Sequence, residues 1–254
     1  MPETKEAVVL KIADDLRKLG IKEDDTILMH SSLSSLGWVE GGADTVIDAL
    51  LSVLKKGTLL VPALSYATVN INNPVFSVND TPTCSGKIPE TFRTRKGVLR
   101  SIHPTHSVCG IGKYAKEILS QHINTDTPVG PTSPFALLPK YNGKILMLGC
   151  TMAPNTSMHG VEELSRPWYL MKPERTTFTL IDENGNETVK AYECHNFKQV
   201  LQRYARVANL MEVQSGKVLE ADCYLIDAKK MWKVAPPVLA ENEEYFIDRK
   251  EEEI

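Results

Sequence analysis

Near the start of the chain, apolar residues recur at helical spacing: Val8, Val9, Ile12, Leu16 and Leu19, with Gly20 where a helix stop is expected. Thr26-Ile27-Leu28-Met29 is instead a short continuous apolar run ending in polar His30-Ser31-Ser32, which predicts a buried strand. After Gly41-Gly42, the stripe Val46, Ile47, Leu50, Leu51 and Leu54 predicts a second helix. Thr58–Pro62 and Lys144–Gly149 read as further strands, and the runs Thr176 to Asp182 and Glu187 to Glu193 flank the hairpin signal Asn184-Gly185. Phe197–Leu210 and Ala221–Trp232 read as closing helices, and the acidic stretch 240–254 as a solvated tail. This alternation predicts an α/β fold in a single large domain, residues 1–254. Its centre would be a mostly parallel mixed sheet flanked by helices, with a β-hairpin annex at 175–195. Ala63 to Gly86 shows little periodicity, and a loop of that length is either functional or holds structure the pattern does not reveal.

Composition narrows the class. The chain has 254 residues, 42% hydrophobic and 24% charged, which is enough to bury a substantial core. A net charge of −3 and a pI near 6.1 argue against a nucleic-acid partner. The N-terminal residues are charged with no apolar leader behind them, and no run is long enough to span a membrane. Five scattered cysteines (Cys84, Cys109, Cys150, Cys194 and Cys223) form no C-x-x-C pair and fit reduced thiols of a cytoplasmic protein. The oligomeric state is not written in the sequence.

The sharpest chemical signal is His159 with Glu162, in Asn155-Thr156-Ser157-Met158-His159-Gly160-Val161-Glu162-Glu163. Good capping residues predict a helix start here, and positions i and i+3 share a helix face. A carboxylate beside an imidazole fixes its tautomer, as a general base requires. A surface ion pair is the alternative reading. His30-Ser31-Ser32-Leu33-Ser34-Ser35-Leu36-Gly37, between a strand and the Gly41-Gly42 helix start, suits a phosphate or an ordinary serine-rich turn, and no Walker A loop occurs. Arg100-Ser101-Ile102-His103-Pro104-Thr105-His106-Ser107 concentrates two histidines, an arginine and hydroxyls. Pro104 argues against its histidines sharing a helix face, and with no third ligand nearby no metal is expected. Cys109-Gly110-Ile111-Gly112-Lys113-Tyr114-Ala115 nearly matches the dinucleotide fingerprint, in a context better suited to a tight helix entry. No G-x-S-x-G elbow or zinc-peptidase motif is present.

Together these stretches resemble the aminoglycoside 3-N-acetyltransferase family. The likeness runs from Met29–Trp38 through Gly41-Gly42, Gly57–Pro62, Arg93, Arg100–Ser107 and Gly130–Pro134 to Lys144–Gly149 and the His159-x-x-Glu162 segment. The resemblance implies an acyltransferase with the antibiotic N-acetyltransferase fold, not the GCN5-related one, taking acetyl-CoA and a small-molecule amine. It implies His159 as general base and Glu162 as its orienting carboxylate, with His103 and Ser107 lining the thioester region. The Ser31–Ser35 turn, with His30, Ser32, Leu33, Ser34 and Arg100, would hold coenzyme A. An aminoglycoside is a polycation, so its pocket needs acids, of which Glu163 and Asp222 are the candidates with Glu162 and Asp80. The implied reaction is direct attack by the 3-amino group of 2-deoxystreptamine, a step in antibiotic resistance. The alternatives are a family member with another amine acceptor and a non-catalytic acyl-CoA-binding protein.

Overall fold

The apolar stripe that opens the chain folds as α1 (Lys5–Lys18), which buries Val8, Ile12, Ala13 and Leu16. In this computed structural model, which describes residues 3–250, Thr4 caps α1 by accepting from the Ala7 amide, and Gly20 turns the chain at φ +102°. There follow β1 (Thr26–Ser31), α2 (Gly42–Val53), β2 (Thr58–Pro62), β3 (Val75–Ser77), α3 (Lys87–Arg93), β4 (Leu99–Arg100), β5 (Val108–Gly112) and α4 (Ala115–Ser120). Next come α5 (Pro134–Leu137), β6 (Lys144–Leu148) and α6 (Ser157–Ser165). The remainder is β7 (Thr176–Ile181), β8 (Glu187–Tyr192), β9 (Val200–Gln202), β10 (Gln214–Val218), β11 (Ala221–Asp227), α7 (Ala228–Glu241) and β12 (Ile247–Arg249).

Seven strands form the main sheet in the order β10-β11-β6-β1-β2-β5-β4. The sheet is mixed: β1 pairs parallel with both β2 and β6, while the strands outside them add antiparallel. Alternation along the central strands feeds two cores. Ile27 and Met29 of β1 pack on one face with α1 and α2, and Leu28 packs on the other with α6 and α7. The hairpin signal at Asn184-Gly185 produces β7 and β8, which β3 extends to a three-stranded sheet. The aperiodic Ala63–Gly86 stretch therefore does contain structure.

Three expectations are corrected. Ala221–Trp232 is not one helix: Ala221, Cys223 and Leu225 alternate inward as β11, and α7 starts only after Asp227, whose side chain accepts from the Lys230 amide. Phe197–Leu210 is β9 followed by a 3-10 turn from Tyr204 to Asn209. The presumed tail packs as far as Arg249, with Phe246 and Ile247 buried and β12 paired to β9, while residues 251–254 lie outside the described residues. The near-fingerprint has a packing explanation. Gly112 sits at φ +110°, where a Cβ would lie 2.3 Å from the Gly57 carbonyl oxygen. No helix among the described residues is long and apolar enough to cross a membrane.

Candidate functional site

The parallel strands β1, β2 and β6 deliver their carboxyl ends to one side of the sheet, where open α/β folds place ligands. The chain leaving β6 turns into α6, whose start is tied by Asn155 Oδ1 accepting from the Ser157 amide at 3.2 Å. One helical turn then brings His159 Nδ1 to 3.2 Å from Glu162 Oε2. Glu162 is fully buried, and a buried carboxylate needs donors. Tyr169 donates to its Oε1 at 2.8 Å and Tyr204 to its Oε2 at 2.7 Å. Since the single Tyr204 proton goes to Glu162, its oxygen accepts from His159 Nδ1 at 2.7 Å. These two acceptors fix the proton on Nδ1 and leave Nε2 as the ring's lone-pair side. The ring lines a cleft of about 510 Å³.

A second pair lies beside the first. His195 Nε2 donates to Glu163 Oε1 at 2.8 Å, and its ring stands edge-on to His159 with centroids 5.0 Å apart. Glu163 Oε1 also accepts from the Val129 amide and Oε2 from the Thr127 hydroxyl. Burial raises the Glu163 carboxyl to about 7, against the lowering effect of those two hydrogen bonds. Burial first, and then the neighbouring imidazoles, hold His195 and His106 well below the ordinary histidine range. Both are neutral at neutral pH, and His195 Nδ1 is buried without a protein partner. Phe197 packs on His159 with centroids 4.5 Å apart.

The serine-rich turn connects to this cleft. A passage of about 140 Å³, lined by His30, Ser31, Ser85 and Cys150, shares Leu64, Tyr66 and Pro154 with the cleft wall. At its other end, Ser31 also borders a groove of about 680 Å³ formed with Ser32, Leu33, Ser34, the Gly41-Gly42 helix start and Lys87. Ser35 does not line the groove but bonds Ser32 Oγ at 2.9 Å. Within the passage, His30 Nε2 and Ser31 Oγ are buried without partners, and burial pushes His30 down to about 3. Such orphaned polar atoms suit a ligand that brings its own hydrogen-bonding groups.

Other candidates fall elsewhere. His103 is fully buried behind the cleft, its Nδ1 accepting from the Thr105 and His106 amides and its Nε2–H donating to the Thr127 carbonyl. It is a structural pin and has no free nitrogen for a thioester or a metal. Ser107 is also fully buried, donating to the Ala63 carbonyl at 2.8 Å and accepting from Arg100 Nε at 3.0 Å, so its hydroxyl is committed. Arg100 places three further donors on the Val78, Thr81 and Ala63 carbonyls and does not line the serine-rich groove. Asp222 is an exposed β11 residue paired with Lys217 at 3.0 Å, and neither it nor Asp80 lines the cleft. Glu163 stands behind His195 and not in the cleft wall. Sequence reasoning missed Tyr169, Tyr204, His195 and Phe197, and also Lys172, an exposed residue of the cleft wall. Only His195 carried a signal, as one of the 6 histidines in the chain.

Comparison with known proteins shows the family. A family model described as aminoglycoside 3-N-acetyltransferase matches residues 28–240. An SPbeta prophage-derived aminoglycoside N(3')-acetyltransferase-like protein of Bacillus subtilis is 32% identical over 249 residues, spanning 88% of each chain. Aminoglycoside N(3)-acetyltransferase IX of Micromonospora chalcea is 28% identical over 258 residues, spanning 89% of this chain and 90% of its own. The crystal structure of YokD from Bacillus subtilis superposes with a TM-score of 0.81 at 30% identity and 96% coverage of both chains. The chain belongs to the aminoglycoside 3-N-acetyltransferase family and is an acyltransferase of that class.

Proposed function

We propose that this member of the aminoglycoside 3-N-acetyltransferase family moves the acetyl group of acetyl-CoA directly onto an amine, with His159 as general base. The observation that carries the proposal is the relay Glu162–Tyr204–His159, which holds one ring nitrogen protonated and the other as an acceptor on the cleft. An amine is mostly ammonium at neutral pH and must lose a proton before it attacks a thioester. An imidazole, which ordinarily titrates at about 6.5, is matched to that transfer.

The groove, the passage and the cleft supply the matching geometry for coenzyme A. Backbone amides and hydroxyls of the Ser31–Ser34 turn, with Lys87 beside them, suit the pyrophosphate. The unpartnered His30 Nε2 and Ser31 Oγ suit the amides of the pantetheine arm, which would bring the thioester to the cleft. With both reactants held, the amine nitrogen bonds the carbonyl carbon, the carbon–sulfur bond breaks, and His159 Nε2 takes the amine proton. No acyl-enzyme is needed. The Ser107 hydroxyl is committed elsewhere, so the oxyanion takes its donor from another group at the cleft.

The acceptor has two readings. The names of the relatives support N3 of an aminoglycoside. The cleft lining, which contains no carboxylate among the described residues, favours an amine of lower charge. Initial velocities against both substrates test the transfer itself. Direct attack gives intersecting lines in double-reciprocal plots, whereas parallel lines would show a covalent acetyl-enzyme and contradict the proposal.

A further inference from the structure

The wall of the cleft around His159 has an unusual charge balance for a site that takes an amine. The two carboxylates bonded to its histidines, Glu162 and Glu163, are withdrawn behind His159 and His195. Every one of their oxygens already accepts a hydrogen bond from the protein. Neither lines the cleft, so neither is placed to meet a substrate ammonium. Among the lining residues the permanent charge is Lys172, an exposed cation with no ion-pair partner among the described residues. The rest of the wall combines neutral polar groups such as Asn70, Thr176 and Gln202 with an apolar side. That side includes buried Phe178 and two exposed residues of the Ala63–Gly86 stretch, Tyr66 at 55% and Ile71 at 75% exposure.

Seating a polycation here would desolvate several ammonium groups without counter-charges and set them against Lys172, which is costly. A single ammonium meets a different environment. It gives up its proton to His159, and its remaining N–H can donate to the unpartnered Nδ1 of neutral His195. The exposed aromatic and aliphatic side chains would cover a hydrocarbon body, and Lys172 would pair with a negative group at its far end.

We infer that the acceptor is a primary monoamine on an apolar or aromatic body that carries an anionic group, which Lys172 recognises. This rests on the acetyl-transfer reading and narrows its acceptor.

Thiol release from acetyl-CoA is the test, with benzylamine, 4-(aminomethyl)benzoate, its phosphonate counterpart, a longer homologue of each acid, and a 2-deoxystreptamine aminoglycoside. The expected kcat/KM is highest for an acid-bearing amine, about fivefold above benzylamine, and lowest for the aminoglycoside. The carboxylate and phosphonate arms show which anion Lys172 prefers. K172M brings the ratio of acid to benzylamine close to one, and K172E inverts it. An aminoglycoside as the best acceptor, or a ratio unchanged in K172M, overturns the inference while the transfer reading stands. If acetyl-CoA binds by calorimetry but no amine releases thiol, both the inference and the transfer reading fall.

Discussion

Replacing Tyr204 with phenylalanine separates the relay from the packing around it. The ring is fully buried and Phe retains its shape, so the change removes one hydroxyl and little else. That hydroxyl donates to Glu162 Oε2 at 2.7 Å and accepts from His159 Nδ1 at 2.7 Å. Without it, the imidazole keeps only its 3.2 Å contact with the carboxylate. Hydrogen bonds to charged groups are worth roughly 1.5–3 kcal/mol, so Y204F is expected to lose about 2 kcal/mol of stability. For a chain of this size that is a fall of about 4–8 °C in Tm by calorimetry. A looser base should lower kcat about tenfold, the equivalent of roughly 1.4 kcal/mol in the transition state. Y169F is the internal control. It removes a 2.8 Å donor from the other Glu162 oxygen but touches nothing on His159. It should cost similar stability and leave kcat within about threefold. Equal losses of kcat in the two variants, or full turnover in Y204F, would refute the claim that Tyr204 orients the base.

Two further outcomes follow from the buried charges. Glu163 titrates at about 7 in the folded chain against 4.5 for the ordinary group, so the native state holds an extra proton between those values. That contribution is complete below about 4.5 and is lost as pH rises through about 7, on the order of 3 kcal/mol. Urea unfolding at pH 5 and pH 8 should therefore show wild type losing stability relative to E163Q on going to the higher pH, and a pH-independent difference would contradict this. R100K leaves the carbonyls of Val78, Thr81 and Ala63 with fewer donors. It should lower stability by about 2–4 kcal/mol while KM for acetyl-CoA stays within about twofold. A tenfold rise in that KM at unchanged stability would return Arg100 to the phosphate site.

Local periodicity made the central layer of the fold legible. β1, β2 and β6 read as strands because Ile27–Met29, Leu59–Val61 and Ile145–Leu148 are continuous apolar runs buried on both faces. His159 and Glu162 were visible because their coupling lies within one helical turn. β11 was misassigned although Ala221, Cys223 and Leu225 alternate, since the apolar run beyond them continues into a true helix. The rest of the relay could not be read from spacing. Tyr204 meets Glu162 across 42 positions, through a 3-10 turn that the sequence presented as part of a helix. The Arg100–Ser107 segment looked like a binding site because it concentrates polar groups. Arg100 and Ser107 instead satisfy carbonyls of the irregular 63–81 stretch and His103 ties its own turn, so only Thr105 and His106 of the segment line the cleft.

The most direct test of the account is thiol release from acetyl-CoA by wild type and H159A, with a saturating amine acceptor and coenzyme A binding measured on both. The account predicts that H159A binds coenzyme A as wild type does and loses roughly 10²–10⁴-fold in kcat. Retention of most of the turnover in H159A would contradict it, since the proton would then leave the amine by another route.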